Sequence, residues 1–305
     1  MSTVTPSDTM LSVSKKRYLI GWPALVAAVI IWACFALSIR LISLSNVLPA
    51  DVALIRFTVP ALLLLPFVAS RLSRMRRTPF MAFMLVSVGG GLPFFLIAAA
   101  GGRYATASYV GALIAGTTPI SASIISYFYK KQKITNIKAI GLLIIATGVG
   151  VLVASLGNIN EKVVLGIGIL LIASFFWGSY TVGLKDLGVD PLSCVALVTY
   201  PSLLVLLLLI AGGAVESNIL HYTLKECLPF IAMQGVGVGF FSTLFYAIAI
   251  QHLGTTRCAT FGSLAPVVAT FLAIPFLNEI PTTLSVIGVI IITAGVIYSN
   301  RYNQG

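Results

Sequence analysis

Ten apolar stretches, each about as long as a bilayer is thick, constrain this chain more than any other feature. A helix needs roughly 20 apolar residues to cross the hydrocarbon core. Because backbone polar groups in lipid must be bonded within the segment, each stretch is expected to be a helix, and the continuous apolar runs exclude alternating β-barrel strands. The predicted spans are residues 19–41, 50–70, 79–100, 105–127, 137–156, 164–185, 191–213, 228–250, 256–276 and 283–300.

Composition agrees with an all-α integral membrane protein. Charged residues make up 9% of the chain and hydrophobic residues 58%, whereas soluble domains carry roughly 25% charged residues. The surface is therefore expected to contact membrane lipid. A formal charge of +11 would suggest nucleic acid in a soluble protein. Here we assign the basic residues to loops, and no nucleic-acid partner is expected.

The basic residues predict the orientation of the chain. Fourteen of the 19 lysines and arginines fall on the side of the N-terminus, four fall on the other side, and Arg56 lies inside a span. Cytoplasmic loops carry the excess of Lys and Arg, so both termini are predicted to be cytoplasmic. Residues 1–18 and 301–305 are then cytoplasmic tails, and the polar residues 1–14 are expected to be disordered.

The last five spans repeat the first five. A shift of 147 residues (266 − 119) relates the prolines of spans four and nine and two similar glycine-containing runs in spans five and ten. Because five is an odd number, the second copy, residues 164–300, must cross the membrane in the opposite sense to the first, residues 19–156. A binding site is expected near the midplane between two such inverted halves. Matching pairs at shifts of 141 to 147 are Gly21 with Gly166, Trp32 with Trp177, Arg40 with Lys185, Pro60 with Pro201, and Pro119 with Pro266.

Four short motifs resemble an EamA-type member of the drug/metabolite transporter superfamily. They are WGSYTVGLK at 177–185, Pro-Ala-Asp…Ile-Arg-Phe at 49–57, the run at 104–120, and Leu-Asn-Glu at 277–279. The resemblance implies a ten-helix carrier of small polar metabolites, often an exporter of a bacterial inner membrane. Known cargo in the superfamily includes amino acids, nucleobases, drugs and sugar phosphates. Many members have Gly-Glu after span four, where this chain has Lys131 and Gln132.

The predicted function is secondary transport of a small polar or amphipathic metabolite by alternating access. A passive channel would show a continuous polar lining, and a polytopic membrane enzyme would need a cluster of reactive side chains at membrane depth. Neither pattern is found in the sequence. No cofactor, metal or catalytic residue is predicted, because the few cysteines and histidines show no ligand spacing. These are Cys34, Cys194, Cys227, Cys258, His221 and His252.

Trp32 and Trp177 are the principal candidates for substrate binding. Each lies about 12 residues into its span, or about 18 Å, which is near the midplane. Two indoles there would line the cavity across the pseudo-two-fold axis, although bulky packing residues at the repeat interface would look the same. Tyr180 lies on the face of Trp177 and Ser38 in the corresponding part of span one.

Polar side chains also follow one stripe of span eight: Gln234, Ser242 and Tyr246. A polar stripe should face protein or water and not lipid. These residues are therefore predicted either to contact cargo or to form structural hydrogen bonds between helices.

Helix-breaking residues mark candidate hinges or gates. Pro119 and Pro266 occupy equivalent positions in spans four and nine, and Gly90 lies in a glycine run in span three. A proline removes a backbone donor and frees a carbonyl, which favours either a static kink or a hinge. The glycines of spans five and ten allow close helix packing, either within the bundle or in a possible homodimer. They include Gly141, Gly148, Gly288 and Gly295.

Two charges near the apolar zone require partners, because an ionised group at the bilayer centre costs about 2.5 to 3.5 kcal/mol. Arg56 lies one to two turns from the outer end of span two, and Glu279 lies at the outer end of span nine. We predict that they form a structural charge pair. Arg40 and Lys185 either cap their helices or attract an anionic group at the two mouths.

Overall fold

The computed structural model describes residues 6–157 and 160–300, and this part of the chain contains ten membrane-crossing helices and no strand. The predicted spans are confirmed to within a few residues. We label the membrane-crossing helices α1 (Tyr18–Leu44), α2 (Pro49–Met75), α3 (Phe80–Gly102), α4 (Ala107–Lys130), α5 (Asn136–Ala154), α6 (Glu161–Leu187), α7 (Pro191–Ala211), α8 (Leu224–Leu253), α9 (Arg257–Leu277) and α10 (Thr283–Asn300).

The N-terminal tail differs from the prediction of disorder. The first helix begins at Pro6 and continues without interruption through α1 to Leu44. Most of the free-energy cost of forming a helix lies in its nucleation. A polar segment next to an established span therefore extends that helix at little further cost. Residues 1–5 and the predicted tail 301–305 lie outside the described residues.

Four helices are interrupted near the centre of the bundle. Helix α3 breaks between Gly89 and Leu92, and α9 breaks between Gly262 and Ala265. Helices α4 and α8 each contain a wider, π-helical segment, Ala112–Gly116 in α4 and Ile231–Phe241 in α8. Such segments frequently occur at functional sites because they redirect side chains and free backbone groups.

Helices α5 and α10 cross closely, and the two repeats contribute to the crossing equally. A Cβ atom on Gly148 would lie 2.7 Å from the backbone nitrogen of Ile292, and one on Gly295 would lie 2.8 Å from that of Ile145. Each residue of the first contact is 147 positions from its counterpart in the second (295 − 148; 292 − 145). Two repeats that exchange roles in this way are related by a two-fold axis, as the sequence predicts. The pairs Gly141 with Ser299 and Gly288 with Leu152 exchange in the same manner.

The first helix of each repeat also makes a contact that recurs with the two repeats exchanged. Gly21 in α1 packs against Leu253 at the end of α8, and Gly166 in α6 packs against Tyr104 after α3. Each repeat therefore places its first helix against the third helix of the other. The halves are interleaved, and the space between them is bounded by helices of both.

The bundle has two ends. We call the end that carries Tyr18, Lys130, Lys185 and Asn300 the terminal face, and the end that carries Arg40, Arg103 and Glu279 the opposite face. Lys130 Nζ and Asp186 Oδ1 are 2.6 Å apart and join α4 to α6 at the terminal face.

A second ion pair on the terminal face joins α2 to α7. Asp190 accepts hydrogen bonds from the backbone and side chain of Ser193 and pairs with Arg71 at 3.1 Å. Burial raises the pKa of Asp190, but the hydrogen bonds from Ser193 and Arg71 outweigh burial and lower it to about 2. Because the folded pKa is depressed, this pair stabilises the fold above the unfolded carboxyl pKa of about 3.9 and is lost as the pH falls towards 2.

The crossing of α5 and α10 predicts unequal effects of one added methyl group. We expect Gly148→Ala to destabilise the protein by about 1 to 3 kcal/mol, because the new Cβ would collide with the backbone of α10. Gly150→Ala, two residues away, is the control, since its Cβ would meet nothing within 4 Å. Thermal unfolding of the purified variants in detergent measures both. Equal midpoints would contradict the packing described here.

Candidate substrate cavity

A cavity of about 300 Å³ lies between the two repeats. Its inner part is lined by Trp32, Arg56 and Trp177, and its mouth by Lys138, Lys185 and Asn300. The mouth residues belong to the terminal face, so the cavity opens there and ends beside Arg56. This volume is at the lower end of the range for ligand pockets. A side chamber of about 50 Å³ adjoins it and shares Trp32, Arg56, Trp177 and Val238.

Aromatic rings form two walls of the cavity. On one side Trp177 stacks on Tyr180 at 4.7 Å between ring centroids and packs against Phe94 at 5.2 Å. On the other side Trp32 packs against Tyr246 at 4.8 Å. Among the described residues no ring contact joins the two tryptophans directly, but Phe35 of α1 stacks on Phe94 of α3 at 5.6 Å, and both of these rings also line the cavity.

Tyr180 reaches its position because α3 has no side chain where it breaks. A Cβ atom on Gly90 would lie 2.7 Å from the Tyr180 ring. The interruption of α3 thus allows α6 to bring a tyrosine against the side chamber, which Gly90 and Tyr180 both line.

Arg56 lies where the cavity and the side chamber meet, with 5% of its surface exposed. Its guanidinium carbon is 5.5 Å from the centroid of the Phe35 ring and 5.4 Å from that of Phe95. Aromatic faces attract a desolvated cation. The contacts of Arg56 with the described residues include no carboxylate, and its Nε atom has no hydrogen-bond partner there.

A chain of three hydrogen bonds links Arg56 to α8 and α1. Arg56 Nη1 donates to Gln234 Oε1, Gln234 Nε2 donates to Ser38 Oγ at 2.5 Å, and Ser38 Oγ donates to the Phe35 carbonyl at 2.8 Å. The amide must present its oxygen to Arg56, because a guanidinium only donates. Helices α1, α2 and α8 are thereby joined at the inner end of the cavity.

The structure brings most of the predicted site residues to this region. Trp32, Trp177 and Tyr246 line the cavity, as do Pro119 and Pro266. The side chamber is lined by Tyr180, Ser242 and Gly90. Ser38 and Gln234 are fully buried behind Arg56 and line neither space.

The predicted pairing of Arg56 with Glu279 is wrong. Glu279 Oε1 pairs with Arg40 Nε at 2.6 Å, and Glu279 Oε2 accepts from the backbone nitrogen of Ala107 at 2.9 Å. Arg40 also donates to the Gly102 carbonyl at 3.4 Å. The loop after α9 therefore reaches α1 and the start of α4, whereas Arg56 points to α8. These contacts join α1, α4 and the loop after α9 at the opposite face, and Arg40, Ala107 and Glu279 line neither the cavity nor the side chamber.

Two side-chain hydroxyls bond to backbone carbonyls in the turn before Pro119. Thr117 Oγ1 donates to the Leu113 carbonyl at 2.5 Å, and Thr118 Oγ1 donates to the Ile114 carbonyl at 2.8 Å. Thr117 also contacts Ser174 of α6 at 2.7 Å. The threonine hydroxyls thus bond locally at the π-helical segment of α4, and Thr117 also connects this segment to α6, the helix that carries Trp177.

Several lining residues were absent from the sequence prediction. Phe35 lies three positions after Trp32, on the same helical face, and that spacing is a usable signal. Phe94 follows Pro93 among many apolar residues and gives no such signal.

Lys185 lines the mouth of the cavity, which agrees with the alternative that it attracts an anionic group. Arg40 is held by Glu279 instead.

Among the described residues, no group of three or more His, Cys, Asp or Glu side chains could hold a metal ion. Ten membrane-spanning helices in two inverted halves, with a cavity between them, are an architecture typical of membrane transporters.

The family comparison agrees with this class. The EamA-like transporter family matches residues 19–154 and 164–301, one match for each repeat. The chain therefore belongs to this family of the drug/metabolite transporter superfamily and is a multi-pass membrane transporter with a small-molecule substrate.

Two relatives extend the comparison. An uncharacterized transporter of Clostridium kluyveri (strain ATCC 8527 / DSM 555 / NBRC 12016 / NCIMB 10680 / K1) is 25% identical over 274 residues, which cover 84% of this chain and 85% of that protein. A protein of known crystal structure is 20% identical and superposes with a TM-score of 0.61, over 95% of this chain and 99% of that chain. The second likeness supports the fold alone.

The contact between Arg40 and Glu279 predicts a charge-reversal rescue. Arg40→Glu should destabilise the protein by about 1 to 3 kcal/mol, because it leaves two partly buried carboxylates facing each other. Adding Glu279→Arg should restore part of the loss, although the Ala107 nitrogen still lacks its acceptor. Thermal midpoints of the three proteins test this. If Arg56→Glu were rescued by Glu279→Arg and Arg40→Glu were not, the observed pairing would be refuted.

Proposed function

We propose that this protein is a secondary carrier that exports a small polar or amphipathic metabolite across a bacterial inner membrane by alternating access. The observation that carries the proposal is a cavity between two inverted repeats that opens at the terminal face and is closed at the opposite face. With both termini in the cytoplasm, as the basic residues predict, the cavity faces the cytoplasm. An exporter loads its cargo from that side.

The tryptophans and the helix breaks have distinct roles in this proposal. Trp32 and Trp177 form the two walls against which cargo stacks, and Tyr246 and Tyr180 support them. Pro119 and Pro266 line the same cavity at equivalent helix breaks. We assign them as hinges, because rotation there would move the outer halves of α4 and α9 relative to the inner halves. Gly90 is assigned the same role in α3.

The two faces differ in the residues available to close them. Glu279 closes the opposite face through Arg40, and its equivalent in the first repeat is Gln132 (279 − 147). The equivalent of Arg40 is Lys185, at the cavity mouth. A neutral amide cannot form an ion pair with Lys185, so closing the terminal face gains less than closing the opposite face. This asymmetry favours the cytoplasm-facing state in the absence of cargo.

A carrier is favoured over a passive channel by the closed face. A channel needs a path through both faces, whereas Glu279 joins α1 to the start of α4 at the opposite face. A gated channel would share that feature but would conduct without saturation.

Transport in proteoliposomes is the direct test of the carrier. We expect saturable exchange of internal against external compound for at least one member of a small-metabolite panel. Trp177→Ala should lower exchange about tenfold or more, since it removes a stacking wall worth roughly 1 to 3 kcal/mol. Phe128→Ala is a matched control, because Phe128 is 76% exposed on α4 and lines neither space. Unchanged exchange in both Trp177→Ala and Trp32→Ala would refute the assigned site.

Restoring an acidic residue in the first repeat should shift the protein towards the opposite state. Gln132→Glu would allow pairing with Lys185 when the terminal face closes. The reporter is Val110→Cys in a background without other cysteines. Val110 is fully buried in α4 and lines the cavity. A membrane-impermeant maleimide applied to intact cells reaches it only when the opposite face opens.

We expect Gln132→Glu to raise the labelling rate of Val110→Cys by about two- to fivefold, the range for an exposed ion pair. Gln251→Glu, which adds the same charge at an exposed position on the terminal face, should leave the rate unchanged. An equal increase in both variants would show that net charge, and not pairing with Lys185, shifts the equilibrium.

A further inference from the structure

We propose that Arg56 binds the anionic group of the cargo, and that the cargo is a small organic monoanion with an apolar body of about the size of one aromatic ring. The inference rests on the proposed function, because it assumes that the cavity holds cargo. It goes further by naming the chemical class that the cavity accepts and the residue that selects it.

Arg56 is a buried cation whose hydrogen bonds are incomplete. Arg56 is 95% buried as a residue, is charged, and lies where the cavity meets the side chamber. Of its five N–H donors, one is used by Gln234 and the Nε donor has no partner in the described part of the chain. A buried cation normally has a carboxylate partner, and within the described residues Arg56 has none.

Its surroundings keep the charge in place without neutralising it. The rings of Phe35, Phe95 and Phe57 lie 5.4 to 5.8 Å from the guanidinium carbon. Their faces stabilise a cation but accept no proper hydrogen bond. Among the described residues the Nη2 group of Arg56 has no hydrogen bond, so it remains free to donate a charge-assisted bond to a carboxylate, whereas the unpartnered Nε is itself buried.

The charges of the whole cavity point to the same class of cargo. Neither space is lined by an aspartate or a glutamate, whereas the cavity is lined by Arg56 at its inner end and by Lys138 and Lys185 at its mouth. A cationic compound would meet three like charges. A zwitterion would find a partner for its carboxylate but no carboxylate for its ammonium group. An anion is attracted at the mouth and bonded at the inner end.

The remaining lining fits an apolar body. The cavity that Arg56 lines also presents Phe35, Phe94, Trp177 and Val110, and its whole volume, mouth included, is about 300 Å³. A ring stacked there would place a carboxylate on a two- or three-atom tether against Arg56. Among the residues whose burial the structure describes, Arg56 is the single buried cation, so larger anions with several charges would have one charge paired and the others unpaired.

Binding to the purified full-length protein tests the inference without any variant. Four compounds share one phenyl group and differ in charge: 3-phenylpropionate, 3-phenylpropanamide, 3-phenylpropylamine and phenylalanine. We expect calorimetry to show that the anion binds at least about tenfold more tightly than the neutral amide, and the cation most weakly. Equal affinities, a preference for the amine or for phenylalanine, or no binding of the anion would overturn the inference.

Gln234→Glu is the most informative variant, because it supplies the carboxylate that Arg56 lacks while keeping the size of the side chain. The fold should be retained, and binding of 3-phenylpropionate should fall at least about tenfold with little change for the amide. Arg56→Met should have the same selective effect if it folds. Arg103→Met, which removes an exposed arginine outside both spaces, is the control and should bind as the unmodified protein does. Undiminished binding of the anion by Gln234→Glu would refute the role of Arg56.

Exchange in proteoliposomes separates this inference from the proposed function. If cations or zwitterions exchange and Gln234→Glu leaves their transport unchanged, the protein is a carrier and the anion site is wrong. If Arg56-dependent binding of the anion is found but no compound exchanges, the site stands and the carrier proposal fails.

Discussion

The antiparallel crossing of α5 and α10 is the constraint on which the rest of the structure depends. Two glycines of each helix lie against the other helix, and the contact recurs with the repeats exchanged, as Gly148 with Ile292 and Gly295 with Ile145 show. Because both halves make the same contacts, they can exchange conformations without creating an interface of a new kind. In such a two-fold arrangement the two states that alternating access requires would differ little in packing energy.

The symmetry is broken at the positions that carry charge. Glu279 is matched by Gln132, and Arg56 is matched by Leu197 at the shift of the second helices, 141 residues. The scaffold is thus duplicated while the closing ion pair and the buried cation each occur once. Because these features occur once, the two halves of the protein are not equivalent, and its end states need not be equal in free energy.

Sequence patterns predict the spans, the inversion and the depth of Trp32 and Trp177, because these follow from run length and internal repetition. They fail for the partner of Arg56. Depth along a helix can be counted from its ends, but the direction in which a side chain points cannot. Nearly every neighbour of Arg56 on α2 is apolar, so the helix has no polar face to indicate its orientation. Glu279 lies at a similar level yet belongs to a loop that reaches Arg40 instead.

The environment of Arg56 shows how stability and binding compete at one residue. A built-in carboxylate would neutralise the guanidinium and remove the cost of an unpaired buried charge. It would also occupy the donors that a cargo anion needs. Gln234 orients the guanidinium through one bond and leaves its charge intact, and the phenyl rings reduce the cost of burial. The fold therefore retains an incomplete ion pair, and the cargo completes it only while it is bound.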